Sequence, residues 1–339
     1  MKARSRTGVP EAFVDALCAE IEDFKGPEDA ASVFWGGGTP SLLSGVQLHR
    51  IMNALRSRFV FHSPEITVEA NPDDVTEDGL KAWVDAGVNR VSLGVQSFDD
   101  RCLRKLGRRH DAERARIACE LVARYFSRWN LDLIFGVPPI EAWGATLAEA
   151  LALGPPHVAT YGLTYEPGTP FERKAHEAVD EETSLRMYQE AEAALAAYEH
   201  YEVSNFALAG QESSHNLLYW HNKDYAGFGT GAYSYIQGVR ARNHAGLDDY
   251  MRAPGAKEES LRLGDREIKV ETLIQHFRLR AGLPRARYEA RFGAAPEADF
   301  RGELDLLAKR GLLEEMDGSI RPTAEGFYLN NEIGLALVG

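Results

Sequence analysis

Polar side chains close several apolar runs of this chain, where acceptors and donors can meet a ligand. Glu69 comes near the end of Glu65-Ile66-Thr67-Val68-Glu69-Ala70, and Gln96 closes Val91-Ser92-Leu93-Gly94-Val95-Gln96. Asp132 sits inside Leu131-Asp132-Leu133-Ile134-Phe135, and Thr164 closes the run over 158–164. Ahead of them Val33-Phe34-Trp35 stops at Gly36-Gly37-Gly38, and Thr39-Pro40 opens a helix. Glycines without Cβ let backbone N–H groups approach a ligand closely. No Gly-Lys-Ser/Thr follows and the spacing is not G-x-G-x-x-G, so neither a nucleotide P-loop nor a dinucleotide fingerprint is present. A later stretch, His215-Asn216-Leu217-Leu218-Tyr219-Trp220, sets an imidazole beside two aromatic rings. On its own, His215 reads as a capping or loop histidine.

These residues need elements to place them. Residues 11–24 have Phe13, Leu17 and Ile21 at helical spacing. Strands are expected at 32–35, 65–70, 89–98, 130–138, 158–164 and 201–206, with helices at 46–59, 76–86, 112–125, 147–153 and 181–198. In the second strand Ile66 and Val68 share one face while Thr67 and Glu69 share the other; in the third, Ser92, Gly94 and Gln96 oppose Val91, Leu93 and Val95. Alternating strands and helices imply a parallel sheet, whose ligands bind at the strands' C-terminal ends. The polar and aromatic stretch 210–235, with glycines alternating with aromatics over 227–232, suggests a strand where another backbone or a flat ligand comes close. From about 255 the chain turns to charged helices, at 265–280, 285–291 and 299–310. A hairpin at 312–322 turning on Asp317-Gly318 and a last helix at 324–333 complete a winged-helix plan. A boundary between a domain at 1–240 and another at 255–339 follows.

Composition narrows the function. A net charge of −13 over 339 residues argues against a nucleic-acid surface, since the longest basic run spans only 104–110. No segment is apolar enough for a bilayer span and no signal-peptide core is visible, so the chain is not expected to be an integral membrane protein. Three cysteines, Cys18, Cys102 and Cys119, make no disulfide framework, and a reducing cytoplasm is the simplest setting.

Taken in order, Trp35-Gly36-Gly37-Gly38-Thr39-Pro40, Glu69-Ala70-Asn71-Pro72, the run from Val91 to Phe98, Leu106-Gly107-Arg108, and the run from Leu131 to Pro138 closely resemble the radical S-adenosylmethionine proteins of the coproporphyrinogen III oxidase group. His215-Asn216-Leu217-Leu218-Tyr219-Trp220 and the glycines of 227–232 resemble the HemW branch, which comprises haem chaperones. The resemblance runs from about Phe13 to the C-terminus. It implies an α/β fold, a partial (β/α)6 barrel with its first strand missing, followed by a small winged-helix-like domain. It implies that Gly37, Gly38 and Thr39 hold the amino group of S-adenosylmethionine, and that Glu69, Gln96, Arg108, Asp132 and Thr164 contact the same cofactor. The donor chemistry agrees, because an ammonium, a carboxylate and ribose hydroxyls need carbonyls, an arginine and carboxylate acceptors. His215 is implied as an axial ligand of haem iron, with Tyr219 and Trp220 flanking the macrocycle. Haem or another porphyrin is then the partner, and a membrane haemoprotein the recipient.

Two departures stand out. The family's Cys-x-x-x-Cys-x-x-Cys, whose thiolates hold a [4Fe-4S] cluster, does not occur in this sequence, and none of the three cysteines carries over as a ligand. The chain is expected to begin just after that loop, a truncated start being favoured over a true loss, with the strand at 32–35 left at the sheet edge. Tyr233 stands where the branch usually has histidine, which shifts the haem assignment onto His215. Three functions follow: a haem chaperone; a radical oxidase acting on porphyrinogen propionates; or a cluster-less, non-catalytic paralogue. The motif at 215–220 favours the chaperone.

Overall fold

A computed structural model describes residues 8–38, 40–169 and 171–338. Thr39, one of the expected cofactor contacts, lies outside the described residues. In chain order the elements begin with α1 (Glu11–Asp23), β1 (Asp29–Trp35), α2 (Gly45–Arg58), β2 (Val60–Ala70), α3 (Glu77–Ala86) and β3 (Arg90–Gln96). There follow α4 (Asp100–Lys105), α5 (Ala112–Tyr125), β4 (Trp129–Phe135), α6 (Ala142–Ala152), β5 (His157–Gly162) and α7 (Glu181–Ala194). Next come β6 (Glu199–Glu202), β7 (Asn205–Ala207), α8 (Ser214–Trp220), β8 (Tyr233–Ile236), β9 (Val239–Asn243), α9 (Leu247–Arg252) and β10 (Lys257–Arg262). The last are α10 (Asp265–His276), β11 (Leu283–Pro284), α11 (Arg285–Phe292), α12 (Pro296–Lys309), β12 (Leu313–Met316), β13 (Ser319–Pro322), α13 (Ala324–Tyr328) and α14 (Asn330–Val338).

The chain divides into two compact units, one of Met1–Leu195 with Tyr225–Leu261 and one of Ala196–Asp224 with Arg262–Gly339. Residues 196–224, which carry His215, therefore group with the C-terminal helices.

In the first unit, β1 to β5 pair in sequence order and in parallel, with β1 first in that order. Local signals start and stop the connecting helices. Ser44 and Gln47 form a reciprocal capping box at α2, Asp111 caps α5, and Gly87 closes α3 with φ +95°. The register sorts the strand residues into two faces. Ile66, Val68, Val91, Leu93, Leu131 and Val158 are buried on one, each contributing about 1.5–3 kcal/mol of apolar burial. The opposite face is polar, bringing Glu69 beside Ser92, Ser92 beside Asn130 and Asn130 beside His157. This parallel sheet is the half barrel that the sequence resemblance implies.

In the second unit, residues 201–206 do not form the single strand expected. They fold back as an antiparallel hairpin, β6 against β7. The wing is present, with β11, β13 and β12 in antiparallel register and a turn on Asp317 and Gly318 at φ +50° and +76°. The last helix is interrupted, α13 ending before α14 begins. Val270, Leu273, Phe277, Tyr288, Phe300 and Leu307 are buried at the centre of this unit.

Candidate functional site

The polar face of the half barrel is layered. Glu65, midway along β2, and Arg90, at the start of β3, are almost wholly buried, and Arg128 Nη2 lies 2.9 Å from Glu65 Oε2. One layer higher, Ser92 Oγ donates to Asp132 Oδ2 at 3.0 Å, and Asn130 Nδ2 donates to Asp132 Oδ1 at 2.6 Å and Ser92 Oγ at 2.8 Å. Arg90 in turn donates to Asn130 Oδ1 at 3.3 Å, so the lower layer orients the upper. Ser92 and Asn130 were not among the expected cofactor residues. Strand alternation already placed Ser92 on this face, and Asn130 sits two residues before Asp132 on the same face.

The top layer gathers most of the expected residues. Gly37 has φ +74° and its N–H donates to the Glu69 carboxylate. A Cβ on Gly36 would lie 2.7 Å from Glu69 Oε2, whereas among the described residues nothing lies within 4 Å of one on Gly37 or Gly38. Gly36 is thus a close approach, and the next two glycines face open space. Gln96 keeps its place by an unexpected route, with a left-handed backbone at φ +69° and a register shift in β3. Its Nε2 lies 2.8 Å from where a Cβ on Gly94 would be, so the side chain folds back over that glycine. Arg108 follows α4, its Nε is buried without a hydrogen-bond partner among the described residues, and it feels the charge of Asp132. Thr164 is the exception, because β5 ends at Gly162 and Thr164 lies exposed in the loop beyond.

Burial raises the carboxyl of Asp132 to about 7, with Ser92 opposing that shift and the charge of Glu69 adding to it. Burial also raises Glu69, against the hydrogen bond from Gly37. Two acidic groups, open glycine backbone and an arginine with a spare N–H form a set that fits an amino acid with a positive sulfur and ribose hydroxyls.

In the second unit Ser213 caps α8 by accepting from Asn216 N, a helix start that a Ser before an apolar pair signals. His215 and Tyr219, one turn apart, meet edge to face with ring centroids 5.0 Å apart. The Trp220 ring has the Arg278 guanidinium 4.5 Å from its centroid. The loop at 227–232 is not a strand, yet the close approach expected there is real, since a Cβ on Gly227 would sit 2.1 Å from Tyr233 O.

Comparison with known proteins decides the family. Residues 4–148 match the radical SAM superfamily, and residues 265–329 match the HemN C-terminal domain. Heme chaperone HemW of Lactococcus lactis subsp. lactis (strain IL1403) is 33% identical over 340 residues, covering 96% of this chain and 89% of that protein. The chain belongs to the HemW family of haem chaperones. The HemW of Bacillus subtilis (strain 168) is 34% identical over 330 residues, 93% of this chain and 87% of its own. Among solved structures, coproporphyrinogen III oxidase (HemN) from Escherichia coli, described as a radical SAM enzyme, superposes with a TM-score of 0.83 at 26% identity, over 96% of this chain and 82% of its own.

The family implies a [4Fe-4S] cluster, and the cysteines of this HemW-family chain do not fit one. Cys102 is buried on α4, its thiol 3.7 Å from Val137 O, and Cys119 is buried on α5. Burial raises all three thiols, Cys119 to about 12, whereas cluster ligands are thiolates. Among the described residues no group of His, Cys, Asp and Glu is arranged to hold a metal ion, and no helix is long and apolar enough to cross a membrane.

Proposed function

We propose that this chain is a haem chaperone that binds haem iron through His215 and S-adenosylmethionine at the half-barrel mouth, and delivers haem to a membrane haemoprotein. Membership of the HemW family, together with an imidazole and a phenol paired on α8, carries the reading. Gly37 and Gly38 would offer backbone to the ammonium, Glu69 and Asp132 would accept from it and the ribose hydroxyls, Arg108 would face the carboxylate, and Gln96 would close the rim. When bound, S-adenosylmethionine supplies a sulfonium and, with a cluster, a source of radical chemistry. The likeness to HemN favours a second reading as a radical enzyme on a porphyrinogen, but no cysteine of this chain offers a cluster ligand.

The test is titration of ferric haem and of metal-free protoporphyrin into the wild-type chain and into His215→Ala. The variant should bind ferric haem about tenfold more weakly with a shifted Soret band, and metal-free porphyrin almost as before. His221, one residue past the motif, and His244 are the competing imidazoles, each removed in its own variant, His221→Ala and His244→Ala. Loss in His221→Ala with none in His215→Ala would move the site, and no change in any of the three would end the haem reading.

A further inference from the structure

Leu218, one turn after His215 on the same side of α8, lines a cavity of about 660 Å³ within the second unit. Its other walls include His221, Lys223, His276, Arg287 and Arg291. The cations are unusual in their company. Arg287 Nη1 donates to His221 Nδ1 at 2.8 Å, and Arg291 Nη1 donates to the carbonyl of Asn222 at 3.0 Å. Neither arginine, nor Lys223, forms an ion pair with a carboxylate among the described residues, and Asp224, also in the lining, is already engaged. Arg287 and Arg291 stand four residues apart on α11, a like-charge spacing that costs helix stability unless something neutralises it.

The two imidazoles complete the picture. Because Nδ1 of His221 accepts from Arg287, its proton sits on Nε2, which leaves it a donor rather than a metal ligand. His276 donates from Nδ1 to Thr272 O at 2.7 Å, and its buried Nε2 has no partner among the described residues. Burial, then Arg287 and Lys223, push His221 down to about 4; burial chiefly, with His221 and both arginines, does the same to His276. Both imidazoles are thus neutral, and the pocket's charge comes from Arg287, Arg291 and Lys223 against the one carboxylate of Asp224.

We propose that this cavity receives the carboxylate arms of the porphyrin whose iron His215 holds, with Arg287 and Arg291 pairing to the carboxylates; this rests on the haem reading above. At a rise of 1.5 Å per residue, His221, which caps α8, stands about 9 Å further along the helix axis than His215, the scale on which one haem separates iron from its propionate carboxylates. Guanidinium groups meet carboxylates in two-pronged hydrogen bonds, and both arginines are exposed at the pocket's rim, where they can meet a ligand entering from solvent.

The experiment compares ferric haem with ferric haem dimethyl ester, which keeps iron and ring but lacks the carboxylates. Both are titrated into the full 339-residue chain as wild type, as Arg287→Gln/Arg291→Gln, and as Arg287→Lys/Arg291→Lys. Wild type should prefer the free acid by about tenfold or more, the Gln pair should lose that preference with an unchanged Soret maximum, and the Lys pair should recover much of it. Equal wild-type affinity for acid and ester overturns the inference even if the Gln pair does not fold. So does a Gln pair that keeps the wild-type preference. Either result leaves haem binding at His215 standing, whereas a wild type that binds neither ligand takes down the haem reading itself.

Discussion

Asp132 is where the chemistry of the half barrel becomes measurable. Its carboxyl accepts from Ser92 and Asn130, yet burial holds its proton until about pH 7, with Glu69 reinforcing the effect. A ligand with a positive sulfonium favours the ionised form, so its arrival at neutral pH should expel a proton. Affinity for S-adenosylmethionine should then fall by up to about tenfold for each pH unit below 7, until the lowered pKa of the bound state is reached. Calorimetry in buffers of different ionisation enthalpy reads the proton directly, and Asp132→Asn should bind more weakly with a flattened pH profile. Wild-type affinity constant between about pH 5.5 and 8 would remove Asp132 from the binding site. Period-two alternation makes Thr67 and Glu69 legible as one face of their strand and Ser92 as the polar face of the next. Gln96 reaches that face through a left-handed backbone, and Thr164 leaves it because β5 stops early; neither follows from hydropathy. Arg287 and Arg291 look like an ordinary solvated helix face in the sequence, and only the fold sets them beside His221 on the rim of a pocket.

Among elements, α1 is fastened to a distant part of its own unit by one buried carboxylate. Glu20 accepts from Gly229 N at 2.8 Å, Asn243 Nδ2 at 2.6 Å and Tyr250 OH at 2.7 Å, with Lys257 Nζ 3.7 Å away. Leaving such donors unsatisfied in the interior costs about 3 kcal/mol or more. Glu20→Ala should therefore lower the melting temperature by several degrees, with Glu20→Gln in between, as followed by circular dichroism. A change of less than about 1 °C in Glu20→Ala would show the tie to be dispensable. Hydrophobic period gave α1 its helix and apolar stripe, but Glu20 reads as a solvated residue because its partners lie more than two hundred positions away. The same limit explains 201–206. Its apolar content suits a strand, while the turn between Glu202 and Asn205 that makes it a hairpin is fixed by cross-strand pairing. The helix α8 is masked in the sequence by its aromatics, although Ser213 before Leu217 and Leu218 is a usable start signal.

At the scale of the whole chain, the motifs named the family because they recur in a fixed order around the half barrel, which local periodicity alone cannot do. Composition was as informative about what the chain lacks as motifs were about what it has. It carries three cysteines, on α1, α4 and α5, and the structure sets each among neighbours that favour the neutral thiol. A [4Fe-4S] cluster needs several thiolates converging on one point, with access for iron and sulfide. Buried Cys102 turns its thiol toward the carbonyls of Val137 and Pro139, and Cys119 is packed inside the first unit. Anaerobic reconstitution of these 339 residues with iron and sulfide should consequently yield no cluster absorbance at stoichiometric level. In the native fold a thiol reagent should modify half-buried Cys18 first, and Cys102 and Cys119 only on unfolding. Replacing all three by serine should leave S-adenosylmethionine affinity within about twofold, provided the triple variant keeps a cooperative melt, because no thiol belongs to the set formed by Gly37, Glu69, Gln96, Arg108 and Asp132. A near-stoichiometric cluster on the wild-type chain, lost in that triple variant, would show that these cysteines converge after all.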